Sequence, residues 1–155
     1  MRGSAGRATG VMKTSRYRLG LARRAANALV SALLRLGLGP ARTYLLTVAG
    51  RRSGAPRTTP VTLVEEGGRR WLVAPYGEVA WVHNLRAAGK ATISRGGRTD
   101  LIRVREIASD EAALVLKMYV TRVPITRPYF DAKPESDVAA FRAEATRHPV
   151  FAIVG

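Results

Sequence analysis

From Ser15 to Leu38 the apolar residues Leu21, Ala25, Ala28/Leu29, Ala32/Leu33 and Leu36 recur at helical spacing, with Arg23, Arg24 and Arg35 on other faces and Gly39-Pro40 as the stop. A basic amphipathic helix is predicted there, preceded by an aperiodic leader over 1–14. After Pro40 the period drops to two: Tyr44, Leu46 and Val48 alternate with Thr43, Leu45 and Thr47, and Gly50 to Pro56 break the run. A second strand is expected over 57–65, a primed hairpin turn at Gly67-Gly68, and a third strand over 70–75. Val79, Val82 and Leu85 predict a short helix over 78–88 that Gly89 stops. Strands over 90–95 and 98–107 meet at Gly96-Gly97. A helix should start at Ser109, its side chain capping free amides, with Asp110 and Glu111 at the positive end. Pro124 and Pro128 force a loop, Pro134 suits the first position of a helix running to Ala145, and 150–154 read as a last strand.

Six strands in hairpins with few inserted helices predict an α+β domain over 40–155, built on a mainly antiparallel six-stranded barrel or curled sheet. Strands and crossover helices do not alternate, and neither the dinucleotide glycine fingerprint nor the phosphate-binding-loop motif occurs.

Charge changes the picture. Twelve basic residues and no acidic one precede Glu65, whereas the remainder carries fourteen basic against eleven acidic residues. The excess therefore belongs to the N-terminal arm and one arginine cluster, which makes nucleic acid an unlikely partner. The helix over 15–38 either packs on its own domain or lies on an anionic membrane. No apolar run reaches the 18 or so residues of a membrane span, and no secretory apolar core is present, so a cytoplasmic protein is expected, with peripheral contact at the inner membrane face in the second reading. The chain has no cysteine, and its two histidines are His83 and His148, so thiolate chemistry and a histidine-rich metal site are excluded and no metal is expected.

Two segments carry candidate chemistry. In Gly50-Arg51-Arg52-Ser53-Gly54-Ala55-Pro56-Arg57 the glycines let the backbone turn while three guanidiniums offer forked donors, a combination that suits phosphate or carboxylate. A solvated arginine-rich hairpin tip has the same composition. In Trp81-Val82-His83-Asn84-Leu85 a helix puts Trp81 and Asn84 on one face, a flat surface beside an amide, fit for a planar heterocycle. The plainer alternative makes Trp81 a core anchor and Asn84 a helix-end cap, with His83 a surface or structural residue. Glu65 and Glu66 are adjacent, on opposite strand faces, and cannot act as a carboxylate pair. So few catalytic side chains point to pure binding or to an enzyme whose cofactor does the chemistry.

The stretch Leu45 to Pro60, then Val73-Ala74-Pro75-Tyr76-Gly77, then Trp81 to Ala87, resembles the deazaflavin-dependent nitroreductase family of actinobacteria. The resemblance runs from about Arg42 to Val154 and implies a split β-barrel and coenzyme F420, an 8-hydroxy-5-deazaflavin with a phosphodiester and a polyglutamate tail. By motif, Arg51, Arg52, Ser53, Gly54 and Arg57 would grip phosphate and tail, with Thr58, Thr59 and Pro60 continuing that wall. Ala74, Pro75, Tyr76 and Gly77 would offer backbone groups to the ring, and Trp81 and Asn84 would line the same pocket. Arg52 stands where lysine is common in the family. The implied activity is hydride transfer to a small planar acceptor: a quinone, a nitroaromatic ring or an activated C=C. Tyr119, by its Met-Tyr context, is a candidate proton donor; beyond it Thr121-Arg122-Val123-Pro124 departs from the family's tyrosine-rich stretch, leaving Tyr129 as the second candidate. Rival readings are a non-catalytic binder of a fatty acid or hydrophobic anion, a flavin mononucleotide enzyme on the same barrel, and a nucleic-acid module using the basic arm.

Overall fold

The computed structural model describes Arg24, residues 27–31 and residues 42–155. Residues 27–31 are helical; the expected leader over 1–14 and most of the helix over 15–38 lie outside the described residues. Six strands follow: β1 (Thr43–Ala49), β2 (Pro56–Glu66), β3 (Arg69–Val73), β4 (Lys90–Arg95), β5 (Arg98–Glu106) and β6 (Val150–Ile153). They close into an antiparallel barrel in the order β1-β2-β3-β6-β5-β4. Helix α1 (Ala80–Ala88) joins β3 to β4; α2 (Ser109–Arg122), a 3-10 helix (Pro124–Tyr129) and α3 (Val138–Glu144) lie between β5 and β6.

Alternation decides which face each strand buries. Leu46 and Val48 of β1, Val61 and Leu63 of β2 and Ile93 of β4 fill the barrel with Val82 and Leu85 of α1. A second core lies outside, where Ala113, Leu116, Tyr119 and Val120 of α2 and Phe141 of α3 cover Val64, Trp71, Val73 and Ala152. The barrel is therefore lined on the inside and, along β2, β3 and β6, covered on the outside. Gly67-Gly68 and Gly96-Gly97 all have positive φ, the primed-turn geometry expected of two-residue hairpins.

Several boundaries differ from expectation. The cap of α2 is Ala108, and Ser109 is its first helical residue without a capping hydrogen bond. Pro134 does not open α3: the helix begins at Val138, where Asp137 Oδ1 accepts from the Ala140 amide at 3.1 Å. A side-chain acceptor at 137 outweighs a pre-set φ at 134. Strand β3 stops at Val73 because Pro75 has no N–H to continue the ladder, and the Ala74 amide donates to the Pro149 carbonyl instead. The proline stretch forms a 3-10 helix rather than a loop, with the Thr126 amide and hydroxyl both donating to Val123 O.

Candidate active site

Between β1 and β2 the chain turns tightly. Gly50 N donates to Ala55 O and Gly54 N to Gly50 O, both at 2.8 Å, and Gly54 has φ 72°. A Cβ on Gly50 would stand 3.2 Å from Ala55 O and Ser53 Oγ, so a larger residue there would crowd the turn. Its tip is fixed from outside: Asn84 Oδ1 on α1 accepts from the Arg51 amide at 3.1 Å and from Arg51 Nη1 at 2.9 Å. Asn84 is 4% exposed and is not a helix-end cap. Arg52 and Arg57 are exposed and have no carboxylate partner among the described residues.

The turn forms one end of a cavity of about 740 Å³. Arg51, Arg52, Ser53 and Arg57 line that end, Trp81 and Asn84 one side, and Thr58, Thr59 and Pro60 the β2 wall. The Thr58 hydroxyl is tied to Thr47 at 2.8 Å, so the wall is held from the next strand. No carboxylate lines the cavity among the described residues. Its field at this end is therefore positive and unneutralised.

The opposite end is neutral. Pro75 and Tyr76 follow β3, Tyr119 comes from α2, and Val123, Ile125 and Thr126 come from the 3-10 segment. Tyr119 is 3% exposed; burial pushes its phenol well above the ordinary range against the opposing Thr126 hydroxyl, so it stays protonated as a hydrogen-bond donor. Asn27 and Val30 of the N-terminal helical residues also reach the wall.

Eleven of the fourteen residues singled out for cofactor binding, Pro75 and Tyr76 among them, thus come together around one space with Tyr119. Gly54, Ala74, Gly77 and Tyr129 do not line it. Gly54 shapes the turn; Ala74 is fully buried; Gly77, with φ 86°, donates to Ala74 O at 3.3 Å and turns the chain behind Tyr76. Tyr129 is exposed, edge-on to Tyr76 with centroids 4.7 Å apart. Sequence reasoning missed Val123, Ile125 and Thr126, which sit in a stretch that the prolines marked only as a break. His83 is half-buried, and no cluster of three metal-ligating side chains occurs among the described residues.

A closed barrel with a basic turn, an indole and a buried phenol around one cleft suits an anionic ligand with a planar ring. Residues 16–133 match the family model of the F420H(2)-dependent quinone reductases, and the chain belongs to that family. It is an oxidoreductase on a split barrel, and its cofactor is coenzyme F420. Among solved structures it is similar to an F420-H2 dependent reductase, FDR-A, at 26% identity and TM-score 0.54, covering 74% of this chain and 95% of that one. A protein of unknown function from Agrobacterium tumefaciens str. C58 shares the fold at 20% identity and TM-score 0.56, over 84% of this chain and 55% of that one. A heme binding protein from Mycobacterium smegmatis shares it at 15% identity and TM-score 0.52, over 80% of this chain and 50% of that one. No curated protein matches the chain.

The donor set fits the cofactor. Three guanidiniums without carboxylate partners complement a phosphodiester and glutamate tail, and a volume of about 740 Å³ is of the size that holds a large cofactor ring with a second small molecule.

Proposed function

We propose that this protein reduces a quinone, with nitroaromatic rings and activated C=C compounds as further acceptors, at the neutral end of the cavity. The observation that carries the reading is the continuity of one space from the Arg51, Arg52 and Arg57 guanidiniums to the buried hydroxyl of Tyr119. Bound in its reduced form, F420 supplies the hydride.

The chain's own residues do the rest. Arg52 and Arg57 hold the anionic tail, and Arg51, anchored by Asn84, holds the phosphodiester. Trp81 gives the ring a flat wall, and Ser53, Thr58 and Thr59 add neutral donors. Val123 gives the acceptor an apolar wall, and Ile125 borders it at the mouth. A phenol pushed upward is a poor acid but a durable donor. Tyr119 therefore serves by donating a hydrogen bond to the acceptor oxygen where negative charge develops, and the proton that completes the hydroquinone enters from solvent at the open mouth. Ile125 is 80% exposed at that mouth, and Leu29, next to the lining residue Val30, is 63% exposed. This apolar rim supports a lipid-soluble acceptor delivered at a membrane surface, with the basic segment over 15–38 as the contact.

The test is steady-state oxidation of reduced F420 with menadione and with a nitroaromatic compound, beside a titration with oxidised F420 and flavin mononucleotide. Saturable binding of F420 with quinone-dependent turnover is expected. Binding without turnover of either acceptor would overturn the reading.

A further inference from the structure

We infer that Glu144 and His148, neither of which touches the cavity, are positioning residues that hold its acceptor wall; the inference rests on the acceptor reading above. Both are buried, at 1% and 5% exposure, in a layer otherwise built from apolar side chains. A carboxylate in such a place costs free energy unless several donors converge on it. Here they do. Glu144 Oε1 accepts from the amides of Asp131 at 2.7 Å and Ala132 at 2.8 Å, and Oε2 accepts from Arg147 Nη2 at 3.0 Å; His148 Nε2 lies 3.3 Å from Oε2 without hydrogen-bonding it.

The two amides sit just after Phe130, the residue that ends the 3-10 helix supplying Ile125 and Thr126 to the cavity. The His148 ring stacks on Phe130 with centroids 4.0 Å apart and planes 24° from parallel, and Phe130 packs on Tyr119 at 6.3 Å. On its other side His148 lies against the backbone of Ala74 and Pro75, while the carbonyl of Pro149 accepts from the Ala74 amide at 2.9 Å. One buried pair thus fastens three pieces of wall that are remote in sequence: Pro75-Tyr76, Tyr119 and Ile125-Thr126. The anion end has no contact with it; its anchor is Asn84. An apolar residue at 144 would fill the space and leave two adjacent inward amides unpaired, so an oxygen acceptor is what this geometry requires.

The test uses the full chain and two probes. Menadione binding is read from quenching of tryptophan fluorescence, since Trp81 lines the cavity, and F420 binding by titration. Glu144→Ala should raise the menadione Kd about tenfold and leave the F420 Kd within about twofold, whereas Glu144→Gln, which keeps an oxygen for the two amides, should recover most of the loss. His148→Ala should raise the menadione Kd about fivefold, and His148→Phe, which keeps the stack on Phe130, should restore it. Should Glu144→Ala fail to fold, the His148 pair decides alone. Equal rises in both Kd values, or no rise in either, overturn the inference. Amide hydrogen exchange supplies the reading independent of ligand: residues 74–77 and 124–132 should exchange faster in His148→Ala while 50–60 do not change. If the unaltered protein fails to bind menadione, the acceptor reading falls and the exchange pattern alone decides whether the pair holds the wall.

Discussion

The carbonyl oxygen of Asn84 accepts two hydrogen bonds from the same residue, Arg51: one from its backbone amide and one from its guanidinium. The amide fixes the turn against α1, and the guanidinium contact fixes the direction in which the remaining donors of Arg51 point. Sequence spacing places Asn84 beside Trp81 as a partner for the ring; the structure gives it an earlier task, that of arranging the anion site before any ligand arrives. Pre-arranged donors lose less side-chain freedom on binding.

Asn84→Ala should therefore do two things. It should lower stability by about 1–3 kcal/mol, because the Arg51 amide is left part-buried and unpaired, and it should raise the F420 Kd about tenfold through a loosened Arg51. Thermal melting and cofactor titration measure the two effects; an unchanged Kd would mean that Arg51 needs no anchor.

Arg52→Ala and Arg57→Ala should each weaken F420 by about 1–2 kcal/mol, at the lower part of the range for charge-assisted bonds because both side chains are exposed and screened. Raising the salt concentration should weaken the unaltered protein more than the double variant. Equal salt dependence in the two would remove these arginines from the tail site.

Tyr119→Phe should lower kcat for menadione about a hundredfold with little change in F420 affinity, the size of effect seen when one donor to a developing oxyanion is lost. Because burial keeps the Tyr119 phenol protonated beyond its ordinary range, the rate should show no loss from its ionisation up to about pH 10. A Tyr119→Phe variant with unaltered kcat would assign the acceptor oxygen to another donor.

Stability should fall as pH is lowered through the histidine range. Burial is the main cause holding His148 below its ordinary 6.5, helped by Arg147 and opposed by Glu144 and the backbone of Ala74 and Pro75. The unfolded chain then binds the proton first on acidification, so the contribution of His148 is fully present above pH 6.5 and is lost as pH falls through its lower native value. Melting temperatures between pH 7.5 and 5 should decline more steeply for the unaltered protein than for His148→Gln. Parallel declines would show that other groups set the slope.

The barrel was legible because its signals are local. Alternation in β1, glycine pairs at 67–68 and 96–97, and the stop at Gly89 each act within a few residues. The anion end was legible for the same reason, since Gly50 to Arg57 form one turn. The acceptor end was not. Thr126 reaches the cavity from a 3-10 helix between Pro124 and Tyr129, and the amides just past that helix donate to Glu144, on another helix and eighteen residues beyond Thr126. Nothing in the spacing of Glu144 or His148 marks them, because their partners are backbone amides and a ring brought together by the second core. Leu45 and Thr43, on the β1 face opposite Leu46 and Val48, are buried as well, so alternation in β1 does not separate a buried face from an exposed one.

The two ends of the cavity hang from separate cores. Trp81 and Val61 belong to the barrel interior, whereas Tyr119, Val123 and Phe130 belong to the outer layer against α2 and α3. Inheritance can therefore act on them unequally. A lineage that rebuilds the outer layer can exchange one electron acceptor for another while the machinery that grips the cofactor passes down unchanged, so relatives of this protein should diverge first in what they reduce and last in what they reduce it with.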